Sequence, residues 1–126
     1  MCPCGSKKEY MNCCGVYHGG VFPETAEQLM RSRYCAFVKQ NVDYLLRTQH
    51  QNLSGPNDRQ EILETFQACQ WLELKVLSKN KGEKQDSEGE VEFLATYANE
   101  GQIFKHREKS HFKKMGPQWL YHSIVE

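Results

Sequence analysis

The chain has 126 residues, which is enough for one ordinary domain and a small appendage. Hydrophobic residues make up 39% and charged residues 25%, a composition typical of globular rather than disordered proteins. Sixteen basic residues balance sixteen acidic ones. The overall charge therefore gives no reason to expect nucleic acid or an anionic membrane as a partner.

The N-terminal region predicts the compartment. The sequence has no apolar run of the roughly 18 residues that a spanning helix needs. The first twenty residues also lack the apolar stretch of a signal peptide. We therefore expect a cytoplasmic protein. Disulfides are rare there, so clustered cysteines are better interpreted as metal ligands.

Four of the six cysteines lie close together near the start, at Cys2, Cys4, Cys13 and Cys14. Two close pairs can supply the four tetrahedral thiolates that zinc prefers, if the chain between them turns back. This spacing predicts one structural zinc ion. A disulfide or redox pair at Cys13 and Cys14 is the alternative. His18 could replace Cys14 as a ligand, although a surface histidine is the simpler interpretation.

This cysteine segment resembles the SEC-C motif, found at the carboxyl end of the bacterial preprotein-translocase motor. That motif reads Cys-x-Cys-x8-Cys-(Cys/His), and its Gly, Ser, Lys and Tyr are here Gly5, Ser6, Lys8 and Tyr10. The resemblance implies that all four cysteines bind zinc. In the translocase the element contacts a chaperone and ribosomes, so it also implies a capacity for protein contacts.

The knuckle, defined as residues 1–20, suggests two kinds of partner, namely another protein or RNA. An adaptor role needs Tyr10, Met11 and Tyr17 exposed for contact with another protein. Contact with RNA through Lys7 and Lys8 is the weaker hypothesis, because a balanced charge predicts poor phosphate affinity.

Helical patterns follow a linker at residues 19–23. Thr25 and Gln28 form a capping-box pattern, and apolar residues then recur at helical spacing, at Met30, Tyr34, Phe37 and Val38. A second short helix is predicted over 42–49. A third begins after the loop at 54–57, with Asp58 and Glu61 as its capping pair.

Strand patterns begin at Trp71. Leu72, Leu74 and Val76 alternate with polar residues and predict one face of a half-buried strand. Residues 78–89 are polar and predict a long, mobile connection. The second strand has its apolar face at Val91, Phe93, Ala95 and Tyr97, the third strand covers 102–113, and the fourth covers 119–125.

Three helices followed by four antiparallel strands is an α+β order, in which a twisted sheet can curl around the first helix and leave a pocket. Several segments resemble the bacterial YchJ family, namely Leu29–Val38, Thr48-x-His50, Trp71-Leu72-x-Leu74, Glu108-x-Ser110-x-Phe112 and Gln118-Trp119-x-Tyr121. The resemblance implies a SEC-C knuckle at 1–20 followed by a nuclear-transport-factor-2-like (cystatin-like) cone at 24–126. It implies no reaction.

The sequence departs from that family in two places. Many relatives carry a second SEC-C motif at the carboxyl end, and no such motif occurs before Glu126. Relatives commonly have Asp-Gly after the last strand's tyrosine, where His122 and Ser123 stand here. One candidate acid of the pocket is therefore missing.

The third strand holds the best candidates for an active site. Phe104, His106, Glu108, Ser110 and Phe112 share parity and project from one face. If the phenylalanines mark the core face, His106 and Glu108 point into the cone and could transfer protons. The alternative is a structural polar cluster, hydrogen-bonded to helix residues such as Arg31 or Arg33.

Arg31 and Arg33 lie on different faces of the first helix. We expect one to pair with a carboxylate such as Glu108 and the other to be solvated. Arg33, Ser110 and Tyr121 are the candidates for binding a small ligand in the cone, an anion included.

Other residues receive simpler interpretations. His111 is expected at the surface, and His50 as a helix-end cap or surface residue. Cys35 and Cys69 are expected as small core residues, and the charged run from Lys79 to Lys84 as a solvated loop.

The leading hypothesis is a zinc-binding interaction module or small-ligand-binding module, without a membrane or nucleic-acid partner. The alternative is a pocket enzyme of isomerase or dehydratase type, using His106 and Glu108.

Overall fold

The computed structural model describes residues 1–125. A short 3-10 helix (Tyr10–Asn12) and α1 (Cys14–His18) form the N-terminal knuckle. The cone then comprises α2 (Ala26–Lys39), α3 (Val42–Arg47), a 3-10 turn (Gln51–Leu53), α4 (Asp58–Ala68) and the strands β1 (Gln70–Lys81), β2 (Glu88–Asn99), β3 (Gln102–Met115) and β4 (Gln118–Ile124).

The four strands form one antiparallel sheet in the order β1-β2-β3-β4. Helix α2 packs against its inner face, and the shared core contains apolar residues of both, including Leu29, Met30, Leu74, Val91, Ala95, Phe112 and Trp119. A smaller cluster joins α2 to α3 and α4 through Ala36, Tyr44, Leu45 and Phe66. The predicted α+β architecture is confirmed.

The start of α2 has the predicted capping box. The Gln28 amide nitrogen donates to Thr25 Oγ1 at 3.1 Å, and the Thr25 amide nitrogen donates to Gln28 Oε1 at 3.2 Å. Two of the unpaired donors at the helix N-terminus are therefore satisfied. The predicted capping pair of α4 is wrong, because Asp58 instead accepts the Gly55 amide at 2.9 Å and Asn57 makes no side-chain cap.

The prediction that residues 78–89 form a long connection is wrong. Strand β1 continues to Lys81, which pairs with Gly89, so only residues 82–87 connect the strands. The hairpin tip rests on α2, where the Ala26 amide donates to the Gly82 carbonyl at 2.9 Å. Polar residues suit this extension because their side chains find polar partners around it. Lys79 lies 3.4 Å from Glu27 on α2 and 3.3 Å from Glu83 in the connection. The solvated-loop interpretation of the Lys79–Lys84 run is corrected with it.

The predicted face of β1 is also partly wrong. An irregularity in register between Trp71 and Glu73 shifts the alternation, so that Leu72 is 48% exposed whereas Leu74 is buried. Trp71 takes the inward position and packs on Tyr97, with ring centroids 5.0 Å apart. Sequence alternation does not reveal such a bulge.

The segment after α3 pairs with the edge of the sheet. Helix α3 ends at Arg47, two residues earlier than predicted, because Gln49 forms a parallel bridge with Tyr121. The His50 amide donates to the Tyr121 carbonyl at 2.7 Å, and the Tyr121 amide donates to the Thr48 carbonyl at 2.8 Å. These bonds fix the position of Tyr121.

Within residues 1–125, no helix has the length and apolarity that crossing a membrane requires.

Candidate functional site

The four N-terminal cysteines converge in the structure. The sulfur atoms of Cys2, Cys4, Cys13 and Cys14 all lie within 4.8 Å of one another. The Cys4 and Cys13 Sγ atoms are 3.7 Å apart, close to the edge of about 3.8 Å that a tetrahedron with 2.3 Å zinc–sulfur bonds has. Cys2, Cys4 and Cys14 are buried and Cys13 is half-buried. The cluster is therefore arranged to bind a metal ion.

Local conformation brings the two pairs together. Gly5, directly after Cys4, has φ +83, a left-handed conformation that side chains disfavour. At Gly15 an added Cβ would lie 2.7 Å from the Tyr10 carbonyl oxygen. The Ser6 hydroxyl lies 3.1 Å from Cys13 Sγ, where it can donate to a thiolate. A glycine after each pair is thus needed on steric grounds.

The thiols of the cluster do not titrate alike. The thiol of Cys14 donates to Cys4 and holds the Cys4 pKa at about 4, whereas burial raises the pKa of Cys2 to about 12. A bound metal requires thiolates, so binding releases protons and weakens as pH falls.

A fifth thiol lies against this cluster. Cys35 on α2 is fully buried, and its Sγ is 3.6 Å from Cys2 Sγ. The prediction of a buried residue is confirmed, but the contact with the ligand set was not anticipated. Cys69 is only half-buried, at the end of α4. All six cysteines are free thiols.

Side chains of the cone hold the knuckle in place. Arg31 donates to the Cys4 carbonyl at 2.7 Å and to Glu27 at 2.9 Å, so the expectation that one arginine is solvated is wrong. His18 is neither a ligand nor a free surface residue, because its Nε2 donates to the Ser32 carbonyl at 2.8 Å and its Nδ1 lies 2.6 Å from the Tyr10 hydroxyl. Burial lowers the His18 pKa and keeps the ring neutral.

The three residues proposed for partner contact differ in exposure. Met11 is 74% exposed. Tyr10 and Tyr17 are half-buried, and the Tyr10 hydroxyl is already bonded to His18. Of the three, only Met11 is fully available to another protein.

A cavity of about 450 Å³ opens inside the cone, on the other side of α2. Its volume is typical of small-molecule sites. Aromatic side chains form a large part of its wall, namely Tyr34, Phe37, Trp71, Phe93, Phe112 and Tyr121, and Met30 lies among them. The pocket predicted from the fold is therefore present.

The polar residues of β3 line this cavity together with Tyr121. His106 Nε2 lies 2.9 Å from Glu108 Oε1, and the Tyr121 hydroxyl donates to Glu108 Oε2 at 3.1 Å. The Ser110 hydroxyl donates to the same oxygen. His106, Glu108, Ser110 and Phe112 share the cavity face as predicted, whereas Phe104 is exposed and does not mark the core. The partners of Glu108 come from the sheet and not from Arg31 or Arg33. His106 is 48% exposed at the rim.

Arg33 also lines the cavity. Its Nη1 donates to the Leu45 carbonyl at 2.9 Å and to Thr48 Oγ1 at 2.7 Å, and its guanidinium lies 4.8 Å from the Tyr121 ring centroid. It forms no ion pair with a carboxylate in residues 1–125, so the predicted pairing with Glu108 is wrong. Burial lowers the Arg33 pKa to about 10.

Sequence reasoning missed two groups of this cavity. The indole Nε1 of Trp71 is buried without a hydrogen-bond partner among the described residues. Tyr34 is buried, and its hydroxyl bonds to no described residue. Apolar periodicity placed Tyr34 on the core side of its helix, and the predicted alternation of the first strand left Trp71 off its apolar face. Nothing in the sequence distinguishes a core aromatic from one that lines a cavity.

A histidine cluster lies outside the cavity. His111, expected at the surface, is half-buried and contacts His122 with ring centroids 5.6 Å apart. His122 also packs on His50, at 4.8 Å. His50 does not end α3 as predicted, but caps the start of the following 3-10 turn (Gln51–Leu53), where its Nδ1 accepts the Asn52 amide at 3.2 Å.

The cone matches a described family. The family model named "YchJ, middle NTF2-like domain" covers residues 25–123. The chain belongs to the YchJ family. It is similar to a UPF0225 protein of Photorhabdus laumondii, 40% identical over 124 residues, which are 96% of this chain and 77% of that one. A UPF0225 protein of Serratia proteamaculans is also 40% identical over 124 residues, covering 96% and 80%.

Solved structures agree with the YchJ family assignment. A SEC-C motif containing protein from Rhodopseudomonas palustris has a TM-score of 0.86 and 30% identity, covering 98% of this chain and 95% of that one. A sec-c motif containing protein from Psychrobacter arcticus has a TM-score of 0.72 and 24% identity, covering 100% and 80%, and shows the fold alone. These descriptions name a motif and a fold, and no reaction.

Proposed function

We propose that this YchJ family protein is a zinc-stabilised module that binds a small ligand in its cone. The observation that carries the proposal is the cavity of about 450 Å³ with aromatic residues in its wall, which is also lined by Arg33, whose Nε and Nη2 bond to no described residue. Buried polar groups are nearly always paired, so an unpaired donor in a cavity favours a partner from outside.

Zinc is the metal that best suits the cluster. Four thiolates in a closed site are typical of structural zinc, and thiolates disfavour magnesium and calcium. Cys2, Cys4, Cys13 and Cys14 would hold the ion and leave no open position for a substrate. The knuckle would then stabilise the structure, with Met11 as its contact for a protein partner.

Elemental analysis tests the metal. We expect about one zinc per chain in protein purified without chelator, and four thiols that react only after a chelator is added. Protein that contains no zinc, with oxidised thiols, would favour redox chemistry at Cys13 and Cys14 instead.

NMR tests the cavity. The two tryptophans give separate indole N–H signals. Trp71 lines the cavity, whereas the Trp119 indole donates to the Glu24 carbonyl at 3.0 Å and serves as internal reference. We expect benzyl alcohol, a neutral aromatic probe, to shift the Trp71 signal and leave that of Trp119 unchanged. Ala95→Leu, which adds volume at the cavity wall, should weaken this response.

A second candidate is proton-transfer catalysis in the same cavity. The distance of 2.9 Å between His106 Nε2 and Glu108 Oε1 supports it, because a general base needs such a partner near its substrate. Glu108, however, already has three donors around it. If the pair is catalytic, Glu108→Gln should abolish turnover of a substrate while its binding persists.

A further inference from the structure

We propose that the ligand of the cone cavity is a small organic monocarboxylic acid, whose carboxylate binds Nε and Nη2 of Arg33 and whose apolar body lies against the aromatic wall. This inference rests on the proposed ligand-binding function and adds the chemical class of the ligand.

One edge of the Arg33 guanidinium makes no hydrogen bond to the described residues. Both hydrogen bonds that the side chain makes leave from Nη1, to Leu45 and Thr48. Nε and Nη2 donate to no described residue, although Arg33 lines the cavity. These two atoms form a planar fork whose parallel N–H groups match the two oxygens of a carboxylate.

The charge of Arg33 has no carboxylate partner within residues 1–125. Arg33 is half-buried, and among the described residues its guanidinium donates only to neutral acceptors, a carbonyl and a hydroxyl. Burial of an unpaired charge is unfavourable, and an anion at the fork would compensate it. The lowered pKa of Arg33 agrees with this environment.

A second residue of the cavity has an unused polar group. The Tyr34 hydroxyl bonds to no described residue, and Tyr34 lines the same cavity as Arg33. The Trp71 indole N–H also has no acceptor within residues 1–125, but it has almost no accessible surface and is not available to a ligand. A ligand rich in acceptors suits Arg33 and the Tyr34 hydroxyl, whereas an ammonium group offers Arg33 only further donors.

The acidic residues of the cavity do not favour a cation. Glu108 has His106, Ser110 and Tyr121 around it, which use three of about four acceptor positions of a carboxylate. Asp58 accepts from Gln49 and from the Gly55 amide, both at 2.9 Å. Glu61 is exposed, where solvent and salt screen its charge.

Three probes of one shape test the charge preference, namely 3-phenylpropanoate, 3-phenylpropan-1-ol and 3-phenylpropan-1-amine. Titrations follow the indole signals and the Arg33 Nε–H signal in the zinc-loaded protein. We expect the acid to bind about tenfold or more tightly than the alcohol and the amine, because a charge-assisted bidentate contact is absent from both. The Arg33 Nε–H signal should shift only with the acid.

Two arginine-to-lysine variants test whether Arg33 is the residue that binds the carboxylate. Arg33→Lys retains the charge and loses the fork, so the acid should lose about tenfold in affinity and approach the alcohol. Arg31→Lys is the control, since Arg31 lies two residues away on α2 and binds Glu27 and the Cys4 carbonyl. It should leave the affinity for the acid unchanged. If Arg33→Lys fails to fold, the Arg33 Nε–H shift in the unaltered protein decides.

The outcomes separate the two proposals. If the alcohol or the amine binds as tightly as the acid, the carboxylate assignment is overturned and the ligand-binding function remains. If none of the three shifts the Trp71 signal, both are overturned.

Discussion

The two sides of helix α2 differ in how completely their polar groups are partnered. On the knuckle side, Ser32 is fully buried and donates to the Leu29 carbonyl at 2.8 Å, while Arg31 and His18 each make two contacts. On the cavity side, Arg33 retains an unused edge and Trp71 has an unpaired donor. Residues one position apart on a helix can therefore contribute to stability on one side and remain available for recognition on the other.

Among the changes that distinguish the knuckle from the cone, metal removal should have the largest effect. We expect a chelator, or Cys14→Ser, to unfold residues 1–20, because structural zinc contributes on the order of 10 kcal/mol to the folding of such elements. Hydrogen exchange should show loss of protection there. The near-UV signal of the cone should persist, because α2 and the sheet contribute most of the buried cluster that Cys2, Cys4 and Cys14 join.

Cys35→Ala is the matched control, since Cys35 contacts the cluster and is not one of the four proposed ligands. It should retain about one zinc per chain. Collapse of the cone on chelation would instead show that the knuckle and the cone unfold as one unit.

Tyr44 on α3 and Tyr34 on α2 test how much the hydrogen bond of a buried hydroxyl contributes to stability. The Tyr44 hydroxyl lies 2.6 Å from Ser32 Oγ in a buried pair, so Tyr44→Phe should lower the free energy of unfolding by about 1–2 kcal/mol. The Tyr34 hydroxyl bonds to no described residue, and Tyr34→Phe should change it by less than about 0.5 kcal/mol. Denaturant unfolding of the zinc-loaded variants measures both. Equal losses would contradict the contrast between the two sides.

The smallest effect expected is a pH dependence at His18. Burial, and then the charges of Arg47 and Lys39, lower its pKa from 6.5, while the hydrogen bond to the Ser32 carbonyl opposes the shift. The unfolded chain therefore binds the proton more tightly, so the contribution of His18 is complete above pH 6.5 and is lost as pH falls through the folded-state pKa.

The measurement compares the unaltered protein with His18→Gln at about pH 7.5 and about pH 5.5. Because the zinc ligands titrate in both proteins, only the difference between them reports on His18. The stability advantage of the unaltered protein should shrink at the lower pH. An advantage that stays constant would show that His18 does not titrate in this range.

Several features could be predicted from short-range patterns alone. The four cysteines, the capping box of α2 and the parity of His106, Glu108 and Ser110 all depend on spacing within a few residues, which local geometry determines.

Features that depend on strand register, or on residues distant in the sequence, could be determined only from the tertiary structure. The bulge that exposes Leu72 and turns Trp71 inward is a property of strand pairing, and so is the extension of β1 to Lys81. Arg31 and Arg33 have identical side chains, yet one meets the Cys4 carbonyl and the other faces the cavity. Their roles differ because α2 packs between the knuckle and the sheet, and spacing along one helix does not determine which elements pack against its faces.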